Sequence, residues 1–175
     1  MKNVSYWYDN ADILQRLQKL PRKMTGMHHA RNVAEFVLHE LCQKDCFDIP
    51  RAAYLVDNPD YDCMRGVAGY CKDEQFDLGD IWSCPLDFTA HMRDASFNNA
   101  VRKFNRHSCH KHKESIEEVA THIAHELGIN DVGCCIVSMP HDNHGILVYE
   151  KQIDHPHDKE CLENGASLLS FCPIY

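Results

Sequence analysis

The stretch SIEEVATHIAHELGINDVGCCIVSMPHDNHGILVYEK, from Ser115 to Lys151, constrains the fold more than any other part of the chain. Ser115 and Glu118 have the spacing of a capping box, in which each side chain satisfies the other's backbone N–H. Ile116, Val119, Ala120, Ile123, Ala124 and Leu127 then recur at helical spacing, and Gly128 stands where a left-handed C-cap is wanted. Asn130 and Asp131 turn the chain. Val132–Met139, β-branched and cysteine-rich, predicts a buried strand. A helix feeding a buried strand this closely is half of an α/β unit, so its neighbours should lie on a sheet.

The rest is read around that unit. Val4–Tyr8 is aromatic and β-prone and predicts an edge strand. Asp9 or Asn10 then caps a helix carrying Ile13, Leu14, Leu17 and Leu20, ended by Pro21. A second helix places Met27, Ala30, Val33, Ala34, Val37, Leu38 and Leu41 on one face. Ala52–Val56 and Met64–Cys71 predict a hairpin across Asn58, Pro59 and Asp60, with Gly66 and Gly69 thinning the second strand. Asp80–Cys84 reads as a short strand, and Phe88–Phe104 as one broken helix or two short ones. Gly145–Lys151 reads as a strand paired with Val132–Met139, or as a short helix capped by Asp142 or Asn143. Ala166–Cys172 predicts a final strand. With 175 residues and no linker or repeat, residues 1–175 form one mixed α+β domain.

Charge narrows the partners. A formal net charge of −8 argues against nucleic acid, because the basic stripe that phosphate neutralisation needs is missing. The only local basic cluster, Arg102–Lys113, is short and interleaved with His. No window reaches the roughly 18 apolar residues of a membrane span, and the N-terminus lacks a secretory layout. Those features predict a cytoplasmic protein with no membrane partner. Ten Cys and thirteen His are the compositional oddity. Without an export signal, reduced thiols are expected, several of them serving as small buried hydrophobes.

Five constellations offer chemistry. His107, Cys109, His110 and His112 put four potential zinc ligands in six residues, but their spacing matches no zinc finger, and a solvated loop explains them. His125–Glu126 and His39–Glu40 begin a zinc-peptidase pattern, yet Ile129 and Gln43 stand where the second His belongs. Asp142, Asn143 and His144, near His141, His155 and His157, make a polar turn able to serve a metal or a proton transfer. Cys63, Cys84 and Cys109 are candidate thiol nucleophiles if a His or helix N-terminus activates one. Asp45 and Asp48 lie between the second helix and the hairpin, placed either to bind a substrate ammonium or simply to solvate a helix exit.

Taken together, the order of elements and three motifs resemble the GNAT-type N-acyltransferases, and within them the acyl-homoserine-lactone (autoinducer) synthases. The motifs are Asp45-Cys-Phe-Asp48 leading into Ala52–Val56; the hairpin arm Arg65–Gly69; and the helix–strand unit ending in Tyr149-Glu-Lys151. The resemblance implies a single-domain, GNAT-like three-layer sandwich with a mixed central sheet flanked by helices. It implies transfer of an acyl group from acyl-CoA or an acyl-carrier protein to an amine, in a slot where two parallel strands splay. Tyr149 would protonate the leaving thiolate, and Asp45 and Asp48 would bind the amine substrate. The family's glycine-rich phosphate loop is replaced here by Asn105–His110. The competing expectation is a non-catalytic Cys/His-rich protein that binds zinc or a partner.

Overall fold

The computed structural model describes residues 4–152 and 159–174. Helices α1 (Val4–Thr25) and α2 (Val33–Cys42) lead into the hairpin of β1 (Arg51–Asn58) and β2 (Cys63–Cys71). Two short helices follow, α3 (Pro85–Asp94) and α4 (Ser96–Lys103), then the two-residue β3 (Asn105–Arg106). Helix α5 (Ile116–Leu127) feeds β4 (Val132–Ser138), which turns back as β5 (His144–Glu150). The described chain closes with α6 (Lys159–Ser167) and a 3-10 turn at Leu168–Phe171.

The five strands form one sheet in the order β3-β2-β1-β5-β4. Strand alternation sorts its side chains onto two faces. Ala52, Tyr54 and Val56 pack with Leu20, Val37, Leu41 and Leu162 beneath α1, α2 and α6. Ala53, Leu55, Ile146 and Val148 pack with Val101, Val119 and Ile123 beneath α4 and α5. The result is an α+β sandwich of three layers. The sheet differs from the mixed one expected: every pairing is antiparallel. Strands β4 and β5 are joined by a short turn, which forces opposite directions, and they pair without interruption from Val132↔Glu150 to Ser138↔His144. Among the described residues, therefore, no pair of parallel strands diverges beside the cysteine-rich strand.

Local signals explain most elements. Gly128 adopts φ 66°, the left-handed C-cap that ends α5. Ser115 starts that helix in extended geometry, but its hydroxyl donates to Glu117 instead of closing a capping box. Gly66 permits a close approach: a Cβ there would lie 1.7 Å from the Val101 carbonyl oxygen, so only glycine lets α4 rest on β2. Three expectations fail. Residues 4–8 belong to α1, which also runs through Pro21, anchored by the buried Leu17 and Leu20. Asp80–Cys84 is a turn held by Ser83 and Cys84 N–H groups donating to the Asp80 carbonyl. The apolar run at Ala166–Cys172 completes α6 and its 3-10 turn, burying Ala166 and Leu169 without strand pairing.

Candidate functional site

An open groove of about 920 Å3 lies at the C-terminal end of β1, between the start of α2 and the end of α4. Four cations from three regions line it. Arg31 precedes α2, Arg65 lies on β2, and Arg102 and Lys103 end α4. Four side-chain amides, Asn32, Asn58, Asn105 and Asn143, join them. Asn58 Oδ1 accepts from the Tyr61 N–H (3.2 Å) and Asn105 Oδ1 from the Cys63 thiol (3.4 Å), whereas Asn143 Oδ1 is buried with no hydrogen-bond partner among the described residues.

Among the described residues, Glu35 is the single carboxylate lining the groove, and it is committed elsewhere. Only 4% exposed, it accepts from Asn98 Nδ2 (3.0 Å), Asn32 Nδ2 (2.9 Å) and Arg102 Nη1 (3.4 Å). Asn98 in turn accepts from the Gly69 N–H and donates to the Met92 carbonyl, which fixes the wall behind Glu35. Arg65 and Lys103 are exposed and form no ion pair among the described residues. On a chain of net charge −8, this is a local reversal of sign.

A second polar centre borders the groove. Asp57, fully buried near the end of β1, accepts from the Ser108 hydroxyl (3.1 Å), the Cys109 thiol (3.3 Å) and the His110 N–H (3.0 Å), all at Oδ2. Its Oδ1 has no partner. Across the strand pair stands His144, whose Nδ1 is likewise buried and unpartnered, and the His110 ring stacks on it at 4.5 Å. Asp62, from the hairpin turn, takes the Ser108 N–H and His112 Nε2. The histidine-rich loop and the Asp142–His144 turn, separate motifs in the sequence, are thus brought side by side by Asp57. That carboxyl is the residue sequence reading missed; an acidic side chain closing an otherwise apolar strand was its only signal.

The centre is not equipped as a thiol nucleophile. Burial, with Asp57 beside it, pushes the Cys109 thiol up to about 12, which favours a protonated donor. Burial also raises the thiols of Cys42, Cys46, Cys135 and Cys172. Among the described residues, no three His, Cys, Asp or Glu side chains are grouped to hold a metal ion; His155 and His157 lie outside those residues. His122 and His125 are exposed on α5, and His122 pairs with Glu126 (3.0 Å).

The residues expected to serve acyl transfer do not line the groove. Tyr149 lies on β5 opposite Ala52, near the other end of β1. It is 9% exposed, and its ring covers Gly133, where a Cβ would stand 2.4 Å from Cζ. Burial, with the Cys135 and Cys134 thiols nearby, raises its hydroxyl to about 12. Asp45 pairs with Arg16 on α1, and Asp48 with Lys72 (3.3 Å). The two carboxylates are therefore divided between separate ion pairs, and they flank the N-terminal end of β1. An eight-residue strand spans on the order of 20 Å, the distance separating that end from the groove.

No helix among the described residues is long and apolar enough to cross a membrane. No protein-family model, curated protein or solved structure matches the chain.

Proposed function

We propose that this protein is a non-catalytic binding module whose working surface is the groove at the end of β1. The supporting observation is the groove's lining: among the described residues Arg31, Arg65, Arg102 and Lys103 stand beside a single carboxylate, and that carboxylate is held from behind. A volume of about 920 Å3 also suits a small-molecule site, for which about 300–1,000 Å3 is usual. The chemistry at the neighbouring Asp57 centre fits a structural role, since its thiol is a donor and its histidines brace a loop. No disulfide forms among the described residues, which suits a reducing compartment such as the cytoplasm. The reading is tested by thermal-shift titration against a chemically diverse compound set, with Val67→Trp and Asn105→Trp as two independent plugs of the groove. Stabilisation of the wild type that both plugs abolish is expected. If no compound of any charge stabilises the wild type, the binding reading fails.

Acyl transfer from acyl-CoA or an acyl-carrier protein to an amine is the second proposal. Its one point of support is that the phosphates of an acyl-CoA donor suit the groove's cations. Incubating the protein with acyl-CoA, or with an acylated carrier protein, and candidate amines should release free thiol; Tyr149, on a strand and away from the groove, has no part in this version of the reading. Absence of thiol release from both donors counts against it.

A further inference from the structure

We infer that β4 is a dimerisation edge, which pairs antiparallel with β4 of a second copy of this chain about a two-fold axis at Cys135. The two edges of the sheet are unlike. At one edge, β3 is two residues long and carries Arg106, and a short, charged edge discourages pairing. At the other, β4 runs seven residues, VGCCIVS, with no charge, no proline and no break in its register. Among the described residues, no strand pairs with its outer side. The ladder decides which groups that side presents. At one end the Lys151 N–H donates to the Asp131 carbonyl (2.9 Å), and at the other the Met139 N–H donates to the Asn143 carbonyl (3.0 Å). Bonds to one antiparallel neighbour fall on alternate residues, so Gly133, Cys135 and Val137 spend theirs on β5. Val132, Cys134, Ile136 and Ser138 therefore turn their N–H and C=O groups outward.

A second copy is the occupant this edge fits. A two-fold centred on Cys135 sets Val132 against Ser138 of the second copy, and Cys134 against Ile136. Every outward group then meets its complement, with about eight backbone hydrogen bonds in all. The side chains agree with that register. Val132 and Cys134 pack against the core beneath α5, whereas Ile136, on the same face, is 49% exposed. The pairing lays the bare Ile136 of each copy beside the covered Cys134 of the other. Charge agrees as well. A net charge of −8 opposes the approach of two copies in general. At this edge the opposition is absent, because the charges acting on the Cys134 and Cys135 thiols are Glu117, Lys151, Lys159 and Glu163, two of each sign. Lys159 and Glu163 also pair with each other (3.7 Å). None of the β4 residues lines the groove, so pairing and ligand binding use separate surfaces.

Sedimentation equilibrium of the full chain under reducing conditions, over a concentration series, tests the pairing, and amide hydrogen exchange locates it. A reversible monomer–dimer equilibrium is expected, in which the Val132, Cys134, Ile136 and Ser138 amides exchange more slowly as concentration rises. Ile136→Lys and Ile136→Glu place like charges across an uncharged seam, and each should raise the dimer dissociation constant on the order of 100-fold. That both signs weaken pairing separates a local effect from a change in net charge. Because Ile136 is half exposed, both variants should keep wild-type amide protection in β1, which verifies folding. Leu86→Lys, at an 85% exposed position on α3, should leave dimerisation unchanged. A monomer at every concentration, equal weakening by Leu86→Lys, or a dimer without slowed exchange in β4 overturns the inference. An extended peptide that protects those amides on a chain still monomeric would overturn it too, and would assign the edge to another partner.

Discussion

Glu40 and Asp57 are both largely removed from water, yet they are satisfied in opposite ways. Glu40, on α2, accepts from the Trp82 indole (3.0 Å) and pairs with Lys23 (3.2 Å) and Arg16 (3.5 Å), so both its oxygens are used. Its partners come from α1 and from the turn before α3, and Lys23 also lies over the Trp82 ring. Asp57 is met only by neutral donors, all on one oxygen, while the other oxygen and the facing His144 nitrogen have none. The first site is a closed clamp between helices. The second pins a loop beside the groove and leaves buried polar atoms unsatisfied, a pattern that natural cores tolerate only sparingly. What separates the two is who depends on whom: Glu40's cations can turn to water, whereas Asp57's donors cannot.

That asymmetry predicts the largest effect at Asp57. Asp57→Ala orphans a hydroxyl, a thiol and a backbone N–H, Ser108 and Cys109 being buried, and should cost roughly 3–5 kcal/mol. Asp57→Asn keeps an acceptor and should cost clearly less. Urea unfolding at unchanged m measures both; equal losses would mean that the hydrogen bonds are not what matters there.

The next effect concerns acid. His39, one residue before Glu40, packs its ring against Phe88 and Tyr70, and burial lowers its pKa to about 4, with Glu40 opposing the shift. In the unfolded chain the ring takes a proton near its ordinary value of 6.5. Between those values the unfolded state binds more protons than the folded one, so stability rises with pH across the window. Conversely, it falls as pH drops from about 6.5 toward 4, by about 3 kcal/mol in all. Stability measured against pH should show that slope in the wild type and lose most of it in His39→Gln. An unchanged slope in the variant would place the acid sensitivity elsewhere.

Periodicity was enough to locate α5, the β1–β2 hairpin and the Val33–Leu41 part of α2, because each carries a local apolar pattern closed by a cap or turn; Met27 and Ala30, expected on the same helix, fall before α2 begins. The same logic failed at Ala166–Cys172, where a short apolar run is equally suited to strand or helix. There the outcome depends on tertiary packing, with Gly165 pressed against Phe47 and Leu41. Strand direction in the sheet was not legible either, since β1 pairs with β5 across some ninety residues. The groove was hidden for the same reason. Arg31, Arg65 and Arg102 are far apart in sequence, and only the folded hairpin gathers them. Asp57, Cys109, His110 and His144 were each visible as residue types, but nothing local announced that one buried carboxyl would join two loops.

A smaller effect is expected at the clamp. Glu40→Gln keeps an oxygen for Trp82 but loses the charge that Arg16 and Lys23 share. Both cations have about a third of their side chains exposed, so hydration offsets most of the loss and about 1 kcal/mol remains. Added salt should shrink the difference between variant and wild type. A loss as large as that of Asp57→Ala would erase the contrast drawn between the two sites.

Cys109→Ser should have the smallest effect and sharpens the contrast most finely. The serine hydroxyl can donate to Asp57 Oδ2 in place of the thiol, and it is the better donor. Against this stands the burial of a more polar atom in a site where Cys109 is 5% exposed. The two terms nearly cancel, leaving a change within about 1 kcal/mol. Cys109→Ala removes the donor and forfeits any compensation; with the other two donors still on Oδ2, it should be destabilised only modestly more. Ligand affinity should be untouched in both, because Cys109 faces Asp57 and does not line the groove. Titration of the serine variant with a compound that stabilises the wild type separates the possibilities: unchanged affinity assigns the thiol to the scaffold, whereas a tenfold loss would make the buried centre part of the binding site itself.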